Sequence, residues 1–356
     1  MNQAPKEYII NNRGGLRAVF IDFGATLTHL YFKDNEGKER DLVLGLSRPT
    51  DYFKNEPYFG STVGQFANRV KDATFQLDGK TYNLDKNNGK HSLHGGIKSF
   101  SHRFWKSNSL APNSVEFALT TGGMDAGYPG NLKCFVNFTL TDCNQLIMDY
   151  RAELLVDHDE PSSNAKVTVI NLTNHSYFNL DGFMAEKPTI LDHMVTIDSS
   201  KYLERDDEDV FNGKVLSIDD HKALDFRKPK RIGDQIDDVG AGYDHCYVLN
   251  PDGCPIHGGP LREVAQVWSP KSGITMKVST TEPSIQFYTA NYLHPNIPTK
   301  PYSHLPDFKY DKHYGFCLEA QRFPNAMNIP EWNSQCILNA GETYKQKTIY
   351  QFANTE

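Results

Sequence analysis

The sequence predicts an all-β protein: one large antiparallel domain over residues 1–356, with few short helices. Three observations predict it. Apolar and polar side chains alternate with period two through most of the patterned segments, as in strands with one face on a core. Helix-period patterns are few and short. Glycine and proline, 26 and 19 of them, interrupt the 356 residues throughout, and neither a composition shift nor a fixed-period repeat divides the chain.

In chain order, the first strands are expected at Leu16 to Phe20 and Thr26 to Phe32. Thr50-Asp51-Tyr52-Phe53 is expected to start a single helical turn from a capping residue. Val115 to Thr120 follows as a strand. Val136, Phe138 and Leu140 alternate, as do the even positions of Leu146 to Leu154, and Asp142-Cys143-Asn144-Gln145 reads as the turn between them. Lys166 to Asn171 is the next strand, and Asp219 to Ala223 a second short helical turn. Val264 to Trp268, Ser269-Pro270-Lys271-Ser272-Gly273 and Ile274 to Val278 form a second hairpin, before a strand over Ile285 to Ala290. The stretches 206–213, 251–260 and 295–313 read as loops, and one as long as the last is expected to be functional.

The formal charge of −7 is spread without long like-charge blocks. That disfavours nucleic acid and anionic membrane surfaces as partners, since both need a clustered basic face. No apolar stretch is long enough to span a bilayer, and the first seven residues lack the apolar core of a signal peptide. Six scattered cysteines contain no C-x-x-C pair, so free thiols in a reducing, cytoplasmic compartment are expected. Three formal glycosylation sequons, at Asn137, Asn171 and Asn174, fall in apolar-alternating runs and point the same way.

One residue stands out chemically. Glu319 sits in the apolar run Tyr314-Gly315-Phe316-Cys317-Leu318-Glu319-Ala320, where an ionised carboxylate is expensive to desolvate unless donors or a cation compensate it. Either its basicity is used or a structural salt bridge needs it. Four further clusters are polar-rich. Gly60 to Val70 carries Asn68-Arg69 after a glycine-bearing path, and Arg69 is suited to fork onto hydroxyls or a carboxylate; a surface arginine is the plain alternative. Asn87 to Gly96 carries His91 and His94 among turn residues, at a spacing that fits no H-x-x-x-H helix, so a loop histidine offering a hydrogen bond is favoured over a metal site. In Asn171 to Leu180, a strand continuing from Val167 places His175 and Tyr177 on one face with Val167 and Val169; His175 titrates near neutral pH, or is a satisfied core histidine. Asp244, at the mouth of an apolar strand, is a ligand-facing carboxylate or a turn aspartate.

No G-x-S-x-G elbow, Walker motif, dinucleotide glycine pattern or zinc-like Cys/His spacing occurs. Acid–base work without metal or cofactor is the chemistry that remains.

Taken in order, Gly64 to Val70, Asn87 to Gly96, Asn174 to Leu180, Gly242 to Leu249, Thr281 to Thr289 and Leu318 to Asn328 resemble the aldose 1-epimerase (galactose mutarotase) family across essentially the whole chain. The resemblance implies a large antiparallel β-sandwich, the galactose mutarotase-like supersandwich, with an open cleft for a free aldohexose such as galactose or glucose. It implies Glu319 as general base and His175 as general acid, with Asn68, Arg69, His94, Tyr177, Asp244 and Gln286 holding the sugar. A monomer or weak homodimer is expected. Phe66, Ala320 and Asn325 depart from common family patterns and leave sugar preference open. Rival readings are a hexose-6-phosphate epimerase using Arg69, Arg103 or Arg205, a non-catalytic sugar-binding protein, and a glycoside hydrolase using Glu319 with Asp244.

Overall fold

The computed structural model describes residues 3–155, 165–302 and 304–355. Met1 and Asn2 of the N-terminal stretch, Glu356, and Ser303 within the 295–313 loop lie outside them, as do residues 156–164.

The alternating segments form strands, and every ladder between named strands among the described residues is antiparallel. Nine strands make the largest sheet. Its middle is Asn131–Thr141, Gln145–Leu155, Thr343–Asn354 and Ile274–Thr280, hydrogen-bonded in that order. In Gln145–Leu155 the even positions Leu146, Met148, Tyr150, Ala152 and Leu154 are buried, as the sequence alternation requires. Residues 142–144 turn that hairpin, with Asn144 in the left-handed region at φ 57. The second hairpin forms over Arg262–Trp268 and Ile274–Thr280, with a register shift between Glu263 and Ala265.

A five-stranded sheet, ordered Phe211–Ser217, Lys201–Arg205, Asp244–Val248, Ser284–Tyr288 and Cys317–Gln321, faces the nine-stranded one. One core cluster joins them: Val136, Met148, Val278 and Tyr350 from the large sheet meet Tyr247, Phe287 and Leu318 from the smaller. Direct hydrogen bonds cross the layers, from Tyr350 Oη to the Leu318 carbonyl at 2.9 Å and from Gln346 Nε2 to the Ala320 carbonyl at 3.0 Å. A four-stranded N-terminal sheet contributes Ala18, Phe20 and Leu30 to the same core. The expected sandwich is the observed fold.

The expected helical turns are both short 3₁₀ segments. Pro49–Lys54 is closed by a reciprocal contact between Arg48 and Asp51, and starts one residue earlier than the expected Thr50. The turn expected from Asp219 splits into Ile218–Asp220, capped by Ser217, and Lys222–Leu224.

One strand expectation is corrected. The run from Lys166 pairs over Val167–Val169, the Ile170 N–H carries that register one step further to the Cys336 carbonyl, and the chain then departs, with the Asn171 N–H bonding to the Gln65 carbonyl and the Leu172 N–H to Tyr344 Oη. Thr173–Asn174 is a separate two-residue strand paired with Thr62–Val63. His175 and Tyr177 therefore do not share a face with Val167 and Val169. Val169 packs with Phe66 and Leu203, whereas Tyr177 packs with Phe59 and Leu44.

Candidate active site

One face of the five-stranded sheet builds the floor of a pocket. In register, Asp244 lies opposite Tyr288, Cys246 opposite Gln286, Gln286 opposite Glu319, and Tyr288 opposite Cys317. Period two then sends Asp244, Gln286, Tyr288 and Glu319 to the same side, while Phe287 and Leu318 enter the core between the sheets. The apolar run around Glu319 is explained by this alternation: Leu318 faces the core, and the carboxylate faces the pocket, only 3% exposed.

The opposite wall comes from segments that no single sheet contains. The Gly60 N–H bonds to the His175 carbonyl at 2.9 Å and the His175 N–H to the Ser61 carbonyl at 3.0 Å. Arg69–Val70 pairs with Ser92–Leu93, which delivers His94 beside Asn68. Both Asn68 and His94 are left-handed, at φ 66 and φ 54, a conformation that persists where surrounding bonds over-determine it. Here they bond each other: the Asn68 N–H donates to His94 Nδ1 at 3.1 Å and the His94 N–H to the Asn68 carbonyl at 3.1 Å.

The cavity between these walls has a volume of about 390 Å³ and is lined by Asn68, Arg69, His94, His175, Tyr177, Asp244, Gln286 and Glu319, together with Tyr58, Asn88, Tyr288 and Tyr292. At its base His175 Nε2 stands 3.7 Å from Glu319 Oε1. The Glu319 Oε2 atom is buried with no hydrogen-bond partner among the described residues, which leaves its lone pairs for a ligand. Burial, reinforced by the charge of Asp244, raises the Glu319 carboxyl well above the usual range. Burial lowers His175 to about 4. The imidazole is nearly parallel to two tyrosine rings, Tyr177 at 5.0 Å and 21° and Tyr58 at 6.1 Å and 24°.

The comparisons with known proteins agree with this geometry. Residues 6–351 match the family model described as aldose 1-epimerase. The chain is 38% identical over 339 residues to galactose mutarotase of Bos taurus, covering 95% of this chain and 91% of that protein. It is 33% identical over 351 residues to aldose 1-epimerase of Escherichia coli K12, covering 96% and 94%. The crystal structure of the GalM/aldose epimerase homologue from C. elegans superposes with a TM-score of 0.86 at 31% identity, covering 99% of this chain and 100% of that one. The chain belongs to the aldose 1-epimerase family. It is accordingly an isomerase, interconverting the anomers of aldoses, as its resemblance implied.

Every residue expected at the epimerase site lines the pocket. Tyr177 is nearly buried against the His175 ring and so also serves as its shelf. Asp244 caps no turn: its Oδ1 accepts from Gln286 Nε2 at 2.6 Å and its Oδ2 from Arg205 at 3.0 Å. Arg69 is no loose surface side chain, because its Nε–H donates to Asn88 Oδ1 at 2.9 Å. His91, by contrast, points away from the pocket, and its Nδ1 accepts the Asp72 N–H. Burial thus raises Glu319 and lowers His175, and both shifts favour the pair's proton on Glu319.

His94, His175 and Glu319 also offer three potential metal-ligand atoms within 4.8 Å of one another. The tautomer of His94 argues against that use. With Nδ1 accepting the Asn68 N–H, neutral His94 carries its proton on Nε2, and so presents a donor rather than a lone pair.

Three features escaped the sequence reading. Tyr58, in the plain context Glu56-Pro57-Tyr58, lies nearly parallel to the His175 ring. Asn88 orients Arg69. The 295–313 loop acts as a strap: buried Lys300 donates to Asp41 Oδ2 at 2.8 Å and to the Val43 carbonyl at 2.7 Å, and Tyr310 Oη donates to the Gly45 carbonyl. The segment just before and within it, Leu293, His294 and Ile297, closes one side of the pocket. The length of the loop was the signal in the sequence for a functional role, and no local pattern marked Lys300 as buried.

Proposed function

We propose that the pocket opens and recloses the ring of a free aldohexose, galactose or glucose, by paired proton transfer. Glu319 takes the proton of the anomeric hydroxyl while His175 protonates the ring oxygen; rotation about C1–C2 exposes the other carbonyl face, and the roles reverse on closure. The observation that carries this reading is the buried His175–Glu319 pair, 3.7 Å apart, at the base of a pocket whose walls are polar. The reaction requires an acid and a base on different oxygens of one sugar, and a separation of 3.7 Å suits two groups that share one substrate.

The pair holds one proton in either of two forms, carboxyl with imidazole or carboxylate with imidazolium. In the second form the charged ring lies against the faces of Tyr177 and Tyr58, which attract a cation. The reacting oxygens of the sugar supply the remaining partners: the C1 hydroxyl donates to Glu319 and the ring oxygen accepts from His175. Two such groups each contribute roughly 100- to 10,000-fold. His94 Nε2–H and the Arg69 guanidinium offer donors, and Asp244 offers acceptors, to the remaining hydroxyls.

A phosphorylated hexose fits poorly. Arg205 is committed to Asp244 and Asp209, Arg103 to Asp125, and the pocket is lined by Glu56, Asp244 and Glu319. Polarimetry on freshly dissolved α-galactose, α-glucose and glucose 6-phosphate tests the reading. Acceleration of the two free sugars is expected; acceleration of the phosphate ester alone would overturn it.

We take the chain as a single domain, because the pocket draws side chains from Tyr58 to Glu319 onto one face. A monomer or weak homodimer fits the exposed large apolar side chains among the described residues, which are spread over Ile9, Ile97, Met124, Leu155, Val215, Leu261 and Tyr292. Among the described residues no helix is long and apolar enough to cross a membrane, and the acidic net charge gives no footing for nucleic acid. A cytoplasmic location accords with two sequon asparagines, Asn171 and Asn174, being buried where no glycan has room.

A further inference from the structure

A chain of hydrogen bonds runs across the sugar-facing wall, and it begins outside the pocket. Arg205 ends the strand Lys201–Arg205, next to Asp244–Val248 in the sheet, and does not line the cavity. Its Nη1 lies 3.0 Å from Asp244 Oδ2 and 3.4 Å from Asp209 Oδ1. The other Asp244 oxygen accepts from Gln286 Nε2 at 2.6 Å, and Gln286 Oε1 accepts from Asn68 Nδ2 at 3.4 Å. Asn68 Oδ1 accepts the Arg69 N–H at 2.8 Å, while the Asn68 N–H meets His94 Nδ1.

The polarity of this chain follows from its charged end. A carboxylate only accepts, so Gln286 turns its NH₂ toward Asp244 and its oxygen toward Asn68. Asn68 then turns its NH₂ toward Gln286 and its oxygen toward Arg69. The pattern of donors and acceptors shown to the sugar is thus anchored at Asp244, and Arg205 holds Asp244 with a charge-assisted bond.

We propose that Arg205 is a positioning residue for the epimerase reaction: through Asp244 it sets the orientation of Gln286 and Asn68 and offsets a carboxylate charge beside Glu319. The inference rests on the assignment of this pocket as the sugar site and assigns a role to a residue outside it. Asp244 and Glu319 project from the same sheet face, and the Asp244 charge helps to raise the Glu319 carboxyl. The other charged or titratable groups near Asp244 are Asp209 beside Arg205, His245 and Cys246 on its own strand, and His175, Tyr177, Tyr288 and Cys317 around the pocket. Among these Arg205 is the cation in contact with Asp244.

The test compares Arg205→Gln, Arg205→Lys, Asp244→Asn and the double variant Arg205→Gln/Asp244→Asn by polarimetric kinetics on galactose across pH. Arg205→Gln is expected to raise KM by roughly 10- to 100-fold, as for loss of a charged hydrogen bond, and to move the alkaline limb of the rate profile to higher pH. Arg205→Lys, which keeps the charge but not the planar fork, should leave that limb in place with an intermediate KM. In the double variant, removing Arg205 should add nothing to the loss from Asp244→Asn. A folded Arg205→Gln with wild-type KM and an unmoved limb overturns the proposal. If Arg205→Gln does not fold, a wild-type KM in Arg205→Lys overturns it. A wild-type KM in Asp244→Asn instead overturns the assignment of the pocket itself.

Discussion

His175 Nε2 and Glu319 Oε1 stand 3.7 Å apart, both nearly inaccessible to solvent, on segments that meet only through the fold. Burial raises one and lowers the other, so over a wide pH range the two share a single proton. A pair with one proton has one acid and one base, which is the inventory that ring opening needs.

The pH profile follows from that inventory. Below about 4, where His175 also binds a proton, the pair holds two and offers no base. Above the raised pKa of Glu319 it holds none and offers no acid. The kcat/KM of mutarotation should therefore be bell-shaped, with an acid limb near 4 and an alkaline limb well above the usual carboxylate range, both belonging to the pair. A rate falling off already through the pH range of an ordinary glutamate would contradict these environments.

The same burial has a cost in stability. The folded-state pKa of Glu319 lies above its ordinary 4.5, so stability is lost as pH rises from that value through the folded pKa. Glu319→Gln removes the titration. Its melting temperature should exceed that of the wild type at neutral pH, and the gain should vanish in acid; a variant less stable at neutral pH would show that the carboxylate is well compensated.

Gly60 couples the fold to the acid. At φ +65 its amide binds the His175 carbonyl, its carbonyl accepts from Leu27 and Asn174, and an added Cβ would lie 1.9 Å from the Leu27 carbonyl oxygen. Gly60→Ala should cost about 1–3 kcal/mol in denaturant unfolding. It should also lower kcat by displacing His175. Unchanged stability would mean that the loop relaxes freely.

A second buried pair has a purely structural task. Arg322 and Glu282 are both fully buried, 2.8 Å apart, and the arginine also binds the carbonyls of Pro255 and Ile256 in the 251–260 loop. Glu282→Ala leaves that cation unpaired and should destabilise the fold by roughly 3–5 kcal/mol. Measured by urea unfolding, a loss below about 1 kcal/mol would indicate that water reaches Arg322.

Much of this architecture was legible because it is written locally. Alternation marks the strands of the large sheet, and a carboxylate in an apolar run marks Glu319 as unusual. Local pattern also misled once: the run from Lys166 alternates, yet the Asn171 amide bonds to Gln65 and takes the chain off that strand's partner before His175. What stayed hidden depends on pairing between distant segments, such as Thr173–Asn174 with Thr62–Val63, or Arg205 with Asp244. Strand register across such separations is set by packing of the whole fold, and no short window of residues encodes it. The proton distribution in the site was hidden for the same reason, because desolvation is a property of the assembled cavity.

The central claim is that Glu319 exchanges the anomeric proton. Polarimetry of freshly dissolved α-galactose with wild-type and Glu319→Gln protein, at matched concentration and with folding checked by circular dichroism, tests it most directly. The account predicts that the folded variant loses roughly 100- to 10,000-fold in kcat, with KM little changed. A folded Glu319→Gln protein that mutarotates galactose at the wild-type rate would contradict it.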